Sequence, residues 1–514
     1  MKRYFLGIDI GTFESRGILI DESFRVAADA SLPHGMDNPQ PGWFEQEAEA
    51  VWWGDLCKLC RILIKQSGIR PEQIACVGTS ALGTDCLPVD EQCRPLRPAI
   101  LYGIDARASE EAAWLTEHYG QARVQELFGH PICSGDTATK ILWLRRHEPE
   151  IYAKTAYFLT GSSFLTARLT GKYVIDQALA KGSFRPLYQA DGSVNEAECG
   201  LYCRPDQIAA CAWSTDIVGT VTPEAAAQTG LAAGTPVITG TGDSTAEAIS
   251  VGLVEPGTAF FQYGSSMFYY YCTDHFVGSY VSPQGNGALK GGKAFTVPGT
   301  YCLGDGTNAA GTLTRWVRDL LYSKELDAEK QGGENAYAVM AREAAAVPPG
   351  SDGLIMLPYI YGERSPLQDA EATGMLFGLK GTHGRAQINR AALEAVGYST
   401  YQHLLLFEEL GVPPRRIITA GGGTKNAAWM QIICDMAGMP LTIPEPFQCS
   451  SYGDAMLAAL GVGALESFAA LRAALPQGRI LQPDRKNHEF YQEHYPIFRD
   501  LYLENRDRMH RMQK

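Results

Sequence analysis

Four short segments place acidic, hydroxyl and glycine residues where a strand pattern breaks into a turn, which is where phosphate and metal chemistry can be assembled. In the first, the strand pattern Phe5–Ile8 runs into Asp9, Gly11 and Thr12, and a second strand pattern, Gly17–Ile20, follows Arg16. A carboxylate this close to a buried sheet is costly unless it is paired or holds a cation. Gly11 permits a sharp turn in which successive N–H groups face one anion. Asp9, Thr12 and Arg16 are therefore candidates to hold Mg2+ and phosphate oxygens. A plain hairpin with an aspartate turn is the alternative for this segment taken alone.

In the second, Pro236–Thr239 leads through Gly240-Thr241-Gly242 to Asp243. Ser244 and Glu247 have capping-box spacing, so they, and not Asp243, are expected to cap the helix that follows. Asp243 then stands just ahead of a positive helix end that keeps it ionised, as a base that takes a proton from an alcohol requires. In the third, Ala259–Tyr263 runs into Gly264-Ser265-Ser266, which offers backbone donors and hydroxyls to a terminal phosphate. In the fourth, Arg416–Thr419 runs into Gly421, Gly422 and Gly423, and Asn426 opens a helix pattern. The glycines allow close approach of a flat or charged ligand, and a helix start favours anions. The chain has no G-x-x-x-x-G-K-[ST], no G-x-G-x-x-G after its first strand and no H-E-x-x-H. Phosphate binding must then be assembled from separated loops, which points to a cleft between domains.

The elements around these turns alternate. Helical patterns at Glu49–Lys65, Ser109–His118, Thr245–Gly252, Ile388–Leu410 and Asn426–Ala437 lie between the strands, which predicts α/β layers. A glycine turn near Gly11 and another near Gly264 predict two similar halves. A chain of 514 residues with 45% hydrophobic content has material for more than one core. A net charge of −13 repels polyanions, so nucleic acid is an unsuitable partner. No apolar run suits a signal peptide or a membrane span, and 13 scattered cysteines read as reduced thiols, so a cytoplasmic protein is expected. Cys57 and Cys60, among Trp52, Leu56, Leu59 and Leu63, read as one buried helix face. Tyr269, Tyr270 and Tyr271 read as strand packing, and Glu363 with Arg364 as an ion pair.

With these segments goes a resemblance. The chain is similar over its whole length to the FGGY carbohydrate kinases, within the actin-like, ribonuclease H-like ATPase superfamily. Besides the four turns, it carries Pro41-Gly-Trp-Phe-Glu-Gln46, Leu96-Arg-Pro-Ala-Ile-Leu-Tyr-Gly-Ile-Asp-Ala-Arg107 and Leu357-Pro-Tyr-Ile-Tyr-Gly-Glu-Arg-Ser-Pro366, the last two closest to xylulokinases. The resemblance implies two actin-like α/β domains with a cleft between them. Residues 1–246 would carry the sugar site and the first phosphate loop, and 247–514 the nucleotide site. It implies a sugar kinase that uses ATP and Mg2+. Asp9 would position the metal, Thr12, Arg16, Gly264 and Ser265 would face the phosphates, and Gly421, Gly422 and Asn426 would line the nucleotide site. Asp243 would be the base, the sugar would lie between Thr79–Asp85, Asp105 and Asp243, and a homodimer is common in such proteins. The chain departs from the family at Ser80-Ala-Leu-Gly83, where xylulokinases read Gln-Met-His-Gly. Leu82 replaces the histidine, and Thr84 and Asp85 are new polar candidates for the sugar. Tyr102-Gly-Ile precedes Asp105 in place of Trp-Asn, and Phe13-Glu14 stands where small residues are usual. A ketose or polyol is therefore expected, without D-xylulose being specified. An actin-like ATPase switch acting on a protein, or a sugar-binding protein without catalysis, are the alternatives.

Overall fold

The protein is described by a computed structural model over residues 2–445 and 449–513. The first half builds a mixed seven-stranded sheet. Its meander is β1 (Tyr4–Ile10), β2 (Glu14–Asp21) and β3 (Val26–Pro33), antiparallel throughout. On the other side of β1 come β4 (Ile74–Ala81), parallel to it, then β6 (Pro236–Ile238) and β5 (Ile217–Thr220). The second half repeats the plan. Its meander is β7 (Thr258–Tyr263), β8 (Met267–Thr273) and β10 (Tyr301–Gly306), edged by β9 (Lys293–Ala294). Beyond β7 follow β11 (Arg416–Ala420), β12 (Leu441–Ile443) and β13 (Arg479–Leu481). The β7–β8 turn thus holds in the second sheet the place that the β1–β2 turn holds in the first. The two α/β halves expected from the recurring glycine turns are present.

β1 and β7 read as nearly continuous apolar runs because helices cover both faces of the sheets. Each half has its own core. A third cluster, containing Phe5, Ile18, Ile249, Phe260, Ile418 and Met456, fills the space between the sheets. The helix α1 (Gly54–Ser67) buries Leu56, Leu59, Cys60 and Leu63 on one face, as its spacing predicts. Cys57, at the edge of that face, is pushed up to about 11 by burial. Glu363 and Arg364 do not pair. The Glu363 carboxylate accepts the Asn308 and Arg364 N–H groups, while the Arg364 guanidinium lies 3.1 Å from Asp305. The tyrosines of β8 are buried, as expected. Among the described residues no helix is long and apolar enough to cross a membrane.

The junction between the halves is built on glycine. The helix α3 (Asp243–Ser250) straddles residue 246, and α6 (Ser450–Gly461), from the second half, lies directly on the first sheet. A Cβ on Gly7 would fall 1.8 Å from the Ser451 carbonyl oxygen, one on Gly78 2.4 Å from that of Asp454, and one on Gly453 1.9 Å from that of Ala246. Only backbones without side chains come this close, and the contact delivers an acid of the second half to the end of β1.

Candidate active site

Asp9 ends β1 beside Ser80 of β4. The Ser80 hydroxyl lies 2.8 Å from Asp9 Oδ1 and 2.7 Å from Asp454 Oδ2. A hydroxyl has one proton, so two carboxylates cannot both accept it. Burial, and then the charge of Asp9, hold Asp454 well above the usual carboxyl range, so Asp454 supplies a proton to Ser80 and Ser80 donates to Asp9. Asp454 is 0% exposed and its Oδ1 has no partner. Asp9 is pushed up to about 7, by burial first and by the charge of Asp243 second. Glu247 reaches about 7 by burial and the charges of Asp243 and Asp9. Sequence reasoning missed Ser80, Glu247 and Asp454 as members of this cluster. Asp454 was detectable only as an acid at the mouth of the apolar run Ala455–Leu465.

Asp243 joins the same cluster, with a correction to its setting. The helix α3 begins at Asp243 itself, and the Ser244–Glu247 capping box is not formed. Both side chains turn across the cleft. Ser244 Oγ meets Tyr270 Oη at 3.1 Å, and Glu247 accepts the Gln262 amide at 2.7 Å. Asp243 Oδ1 instead accepts the Ser244 N–H at 2.6 Å. The helix end does lower the Asp243 pKa through that bond, but burial outweighs it and the net shift is upward. The helix end therefore favours the ionised Asp243 carboxylate, as expected, against an opposing and larger effect of burial. Among positive groups Lys293 opposes the rise.

In the first half, Asp85 is 0% exposed and neither carboxylate oxygen has a partner, so burial raises it well above its usual range. Lys140, whose amine is held by the Thr84 and Gly135 carbonyls at 2.6 and 3.0 Å, counters this charge. Thr84 is half-buried beside them and Leu82 is buried. Tyr102, in the segment that departs from the family pattern, meets Thr12 Oγ1 at 3.2 Å, and its phenol is raised by burial and by the charges of Asp243 and Asp85. The Thr12 hydroxyl is therefore turned toward Tyr102. Asp105 does not face this space. Its carboxylate accepts the Phe44 N–H at 2.7 Å and the Arg107 guanidinium at 2.8–3.0 Å, and its side chain is 0% exposed. Arg107 also reaches Glu45 and stacks 4.4 Å from the Trp43 ring. The expected sugar contact at Asp105 is corrected to a structural clamp, because a guanidinium two residues away saturates it.

The phosphate and nucleotide candidates divide between the halves. Gly11 donates its N–H to the Glu14 carbonyl at 3.0 Å, closing the first turn, and Phe13 and Glu14 project into solvent. Arg16 faces Asp9 across the β1–β2 pair. Its Nη2 is 3.5 Å from Asp29 and its Nε has no partner. Gly264, Ser265, Gly422 and Asn426 line one cavity of about 490 Å3, joined by Arg315 and Lys425 as cations that sequence reasoning missed. Gly421 lies behind this wall at φ 90°, where a Cβ would stand 2.7 Å from the Tyr263 carbonyl oxygen. Asn426 Oδ1 caps the helix α5 (Ala427–Ala437) through the Trp429 N–H at 3.0 Å.

The cluster fits a hard divalent cation. Its donors are oxygens, they repel one another, and Asp454 Oδ1 is unpartnered. Among the described residues no group of three metal-ligating side chains forms a cage, so a cation there would need phosphate and water to complete its shell. This electrostatics has a pH signature. A carboxyl whose folded pKa exceeds its unfolded value keeps its proton in the native state, so it lowers stability as pH rises from about 4 toward about 7. The ligand-free protein is expected to lose thermal stability over that window through Asp9 and Glu247. Mg2+ with ADP favours the ionised carboxylates, so its stabilising shift should grow between about pH 5.5 and about pH 7.5. Thermal unfolding with and without MgADP at both pH values checks this, and a shift independent of pH would contradict it.

Comparison with known proteins agrees with this architecture. The model for the FGGY family of carbohydrate kinases matches with its N-terminal domain over residues 4–250 and its C-terminal domain over residues 263–462. The xylulose kinase of Escherichia coli (strain K12) is 29% identical over 501 residues, covering 97% of this chain and 98% of that protein. The gluconokinase of Bacillus subtilis (strain 168) is 28% identical over 506 residues, covering 98% and 96%. Among solved structures, the xylulose kinase from Rhodospirillum rubrum superposes with a TM-score of 0.88 at 28% identity, covering 99% of this chain and all of that one.

Proposed function

From a chain that belongs to the FGGY family of carbohydrate kinases, and is therefore a sugar kinase, we propose transfer of the γ-phosphoryl group of ATP to a hydroxyl of a small ketose or polyol, xylulose being one candidate, with Asp243 as base. The observation that carries this reading is the meeting of acids from both halves, Asp9 and Asp243 from one and Asp454 from the other, at one end of the cleft. The sugar site is assigned to the first half and the nucleotide to the second. Asp85, buried and unpartnered, accepts sugar hydroxyls that bring the missing donors, and Tyr102 and Thr84 flank it. Asp243 accepts the proton of the attacking hydroxyl. Gly264 and Ser265, with Arg315, Lys425 and the Gly422 turn, hold the phosphate tail and the nucleoside. Mg2+ held near Asp9 supplies charge neutralisation at the phosphate oxygens.

A second substrate class is favoured by one observation. Gluconokinases stand beside xylulose kinases among the relatives, and the Leu82 segment lacks the xylulokinase histidine, so a sugar acid belongs in any substrate screen. ADP release in MgATP with a panel of pentuloses, hexuloses, polyols and aldonates tests the reading. Sugar-dependent release with one or a few members is expected. Release that no sugar alters would sink it and favour an ATPase switch, and sugar binding without release would favour a non-catalytic binder.

A further inference from the structure

A second cavity, of about 630 Å3, opens on the seam between the halves, away from the nucleotide cavity. Its first-half wall includes Gln125, Trp213, Lys181 of α2 (Gln177–Gly182) and Arg185. Its second-half wall includes Phe276 and Tyr301. In a chain of net charge −13 the cations here form no direct ion pair, although Asp136 acts on Arg185 and Asp191 on Lys181 at longer range. Among the described residues neither Lys181 nor Arg185 has a carboxylate within 4.0 Å, while the one acid of the wall, Glu126, is engaged by Arg123 at 2.7 Å. Arg185 is fixed by two carbonyls, donating from Nε to Lys181 at 2.6 Å and from Nη1 to Phe128 at 2.8 Å, which leaves Nη2 unbonded. A third cation adjoins them. Lys293 of β9 packs against Gly182, where a Cβ would lie 3.3 Å from Lys293 Cδ, and it too has no carboxylate partner. Arg185 and Lys293 repel one another, Lys181 shares the wall with Arg185, and an anion seated there would relieve the repulsion. A guanidinium edge beside an ammonium suits a phosphate dianion. The rings suit a flat apolar group. Phe276 is 51% exposed at the mouth, in edge contact with Tyr301 at 6.1 Å.

We propose that this cavity binds a small organic phosphate bearing a flat ring, with the phosphate on Lys181 and Arg185 and the ring among Trp213, Phe276 and Tyr301. Such a ligand touches both halves. It also lies beside Lys293, which donates to Tyr270 Oη at 3.3 Å and through it adjoins Ser244, next to Asp243. The site is separate from the sugar and nucleotide sites, and its test does not depend on catalysis. Phenyl phosphate is titrated calorimetrically into the full chain held in saturating MgADP, so that the nucleotide cavity is filled, with inorganic phosphate and benzoate as parallel probes. One saturable site is expected, with phenyl phosphate bound about tenfold more tightly than either parallel probe. Lys181→Met, a half-buried position, should weaken it by about tenfold while leaving sugar-dependent ADP release unchanged, and Arg185→Met should weaken it further. The proposal is overturned by an absence of saturable heat, by inorganic phosphate or benzoate binding as well as phenyl phosphate, or by Lys181→Met binding like the parent chain.

Discussion

Replacing Asp243 with alanine is expected to lower sugar-dependent turnover by about 10²–10⁴-fold, the range for a lost general base and equivalent to about 3–5 kcal/mol of barrier. The same substitution should leave ATP binding nearly intact, because Gly264, Ser265, Gly422 and Asn426 line their cavity without it. It should also make the ligand-free protein more stable at neutral pH. Asp243 is the first-named charge that raises Asp9 after burial, and it raises Glu247 in the same way, so its removal relieves repulsion among buried acids. A folding defect would instead lower stability and activity together. Turnover by coupled ADP release, nucleotide affinity by calorimetry and thermal unfolding at about pH 7.5 separate these outcomes. Full sugar-dependent turnover in the alanine variant would remove Asp243 from the role of base.

The parts of this site that could be read from sequence are those in which one segment carries both the element and the chemistry. Asp9 and Gly11, like Gly264 and Ser265, follow an apolar strand directly, so their placement at sheet ends was fixed locally, and Asn426 begins its helix for the same reason. Readings failed where a distant partner outcompeted a local one. Ser244 and Glu247 have the spacing of a cap, but Tyr270 and Gln262 reach them from across the cleft and take both side chains. Asp105 has a family pattern that points to the sugar, yet Arg107 and the Phe44 N–H close around it. The spacing Asp-x-Arg was the available signal. Asp454 lies 374 residues from the serine it touches, and nothing in its own segment reports that neighbour. What the sequence does record of that contact is a set of glycines, Gly7, Gly78 and Gly453, whose reason becomes visible only when α6 is laid on β1 and β4.

Those glycines set the second large expectation. Gly453→Ala should destabilise the protein by about 3 kcal/mol, the upper part of the usual range for overpacking. The added methyl would meet the Ala246 carbonyl oxygen at 1.9 Å and its carbon at 2.7 Å, and both are backbone atoms of α3 that have no rotamer to change. Relief requires α6 to back away from α3, and that motion carries Asp454 from Ser80 and opens the acid cluster. Turnover should therefore fall as well, and the stabilisation given by MgADP should shrink, although Gly453 touches neither substrate. Gly200→Ala is the matched comparison. It also lies in a helix, Glu196–Tyr202, but a Cβ there meets nothing within 4 Å. It should leave turnover unchanged and raise stability by about 0.5–1 kcal/mol, because alanine loses less freedom on folding than glycine. Opposite signs for the same chemical change in two helices would isolate the close seat of α6 as the cause. If the two variants unfolded at the same temperature and turned over alike, Asp454 would have to be brought to the end of β1 by some other contact than this glycine seam.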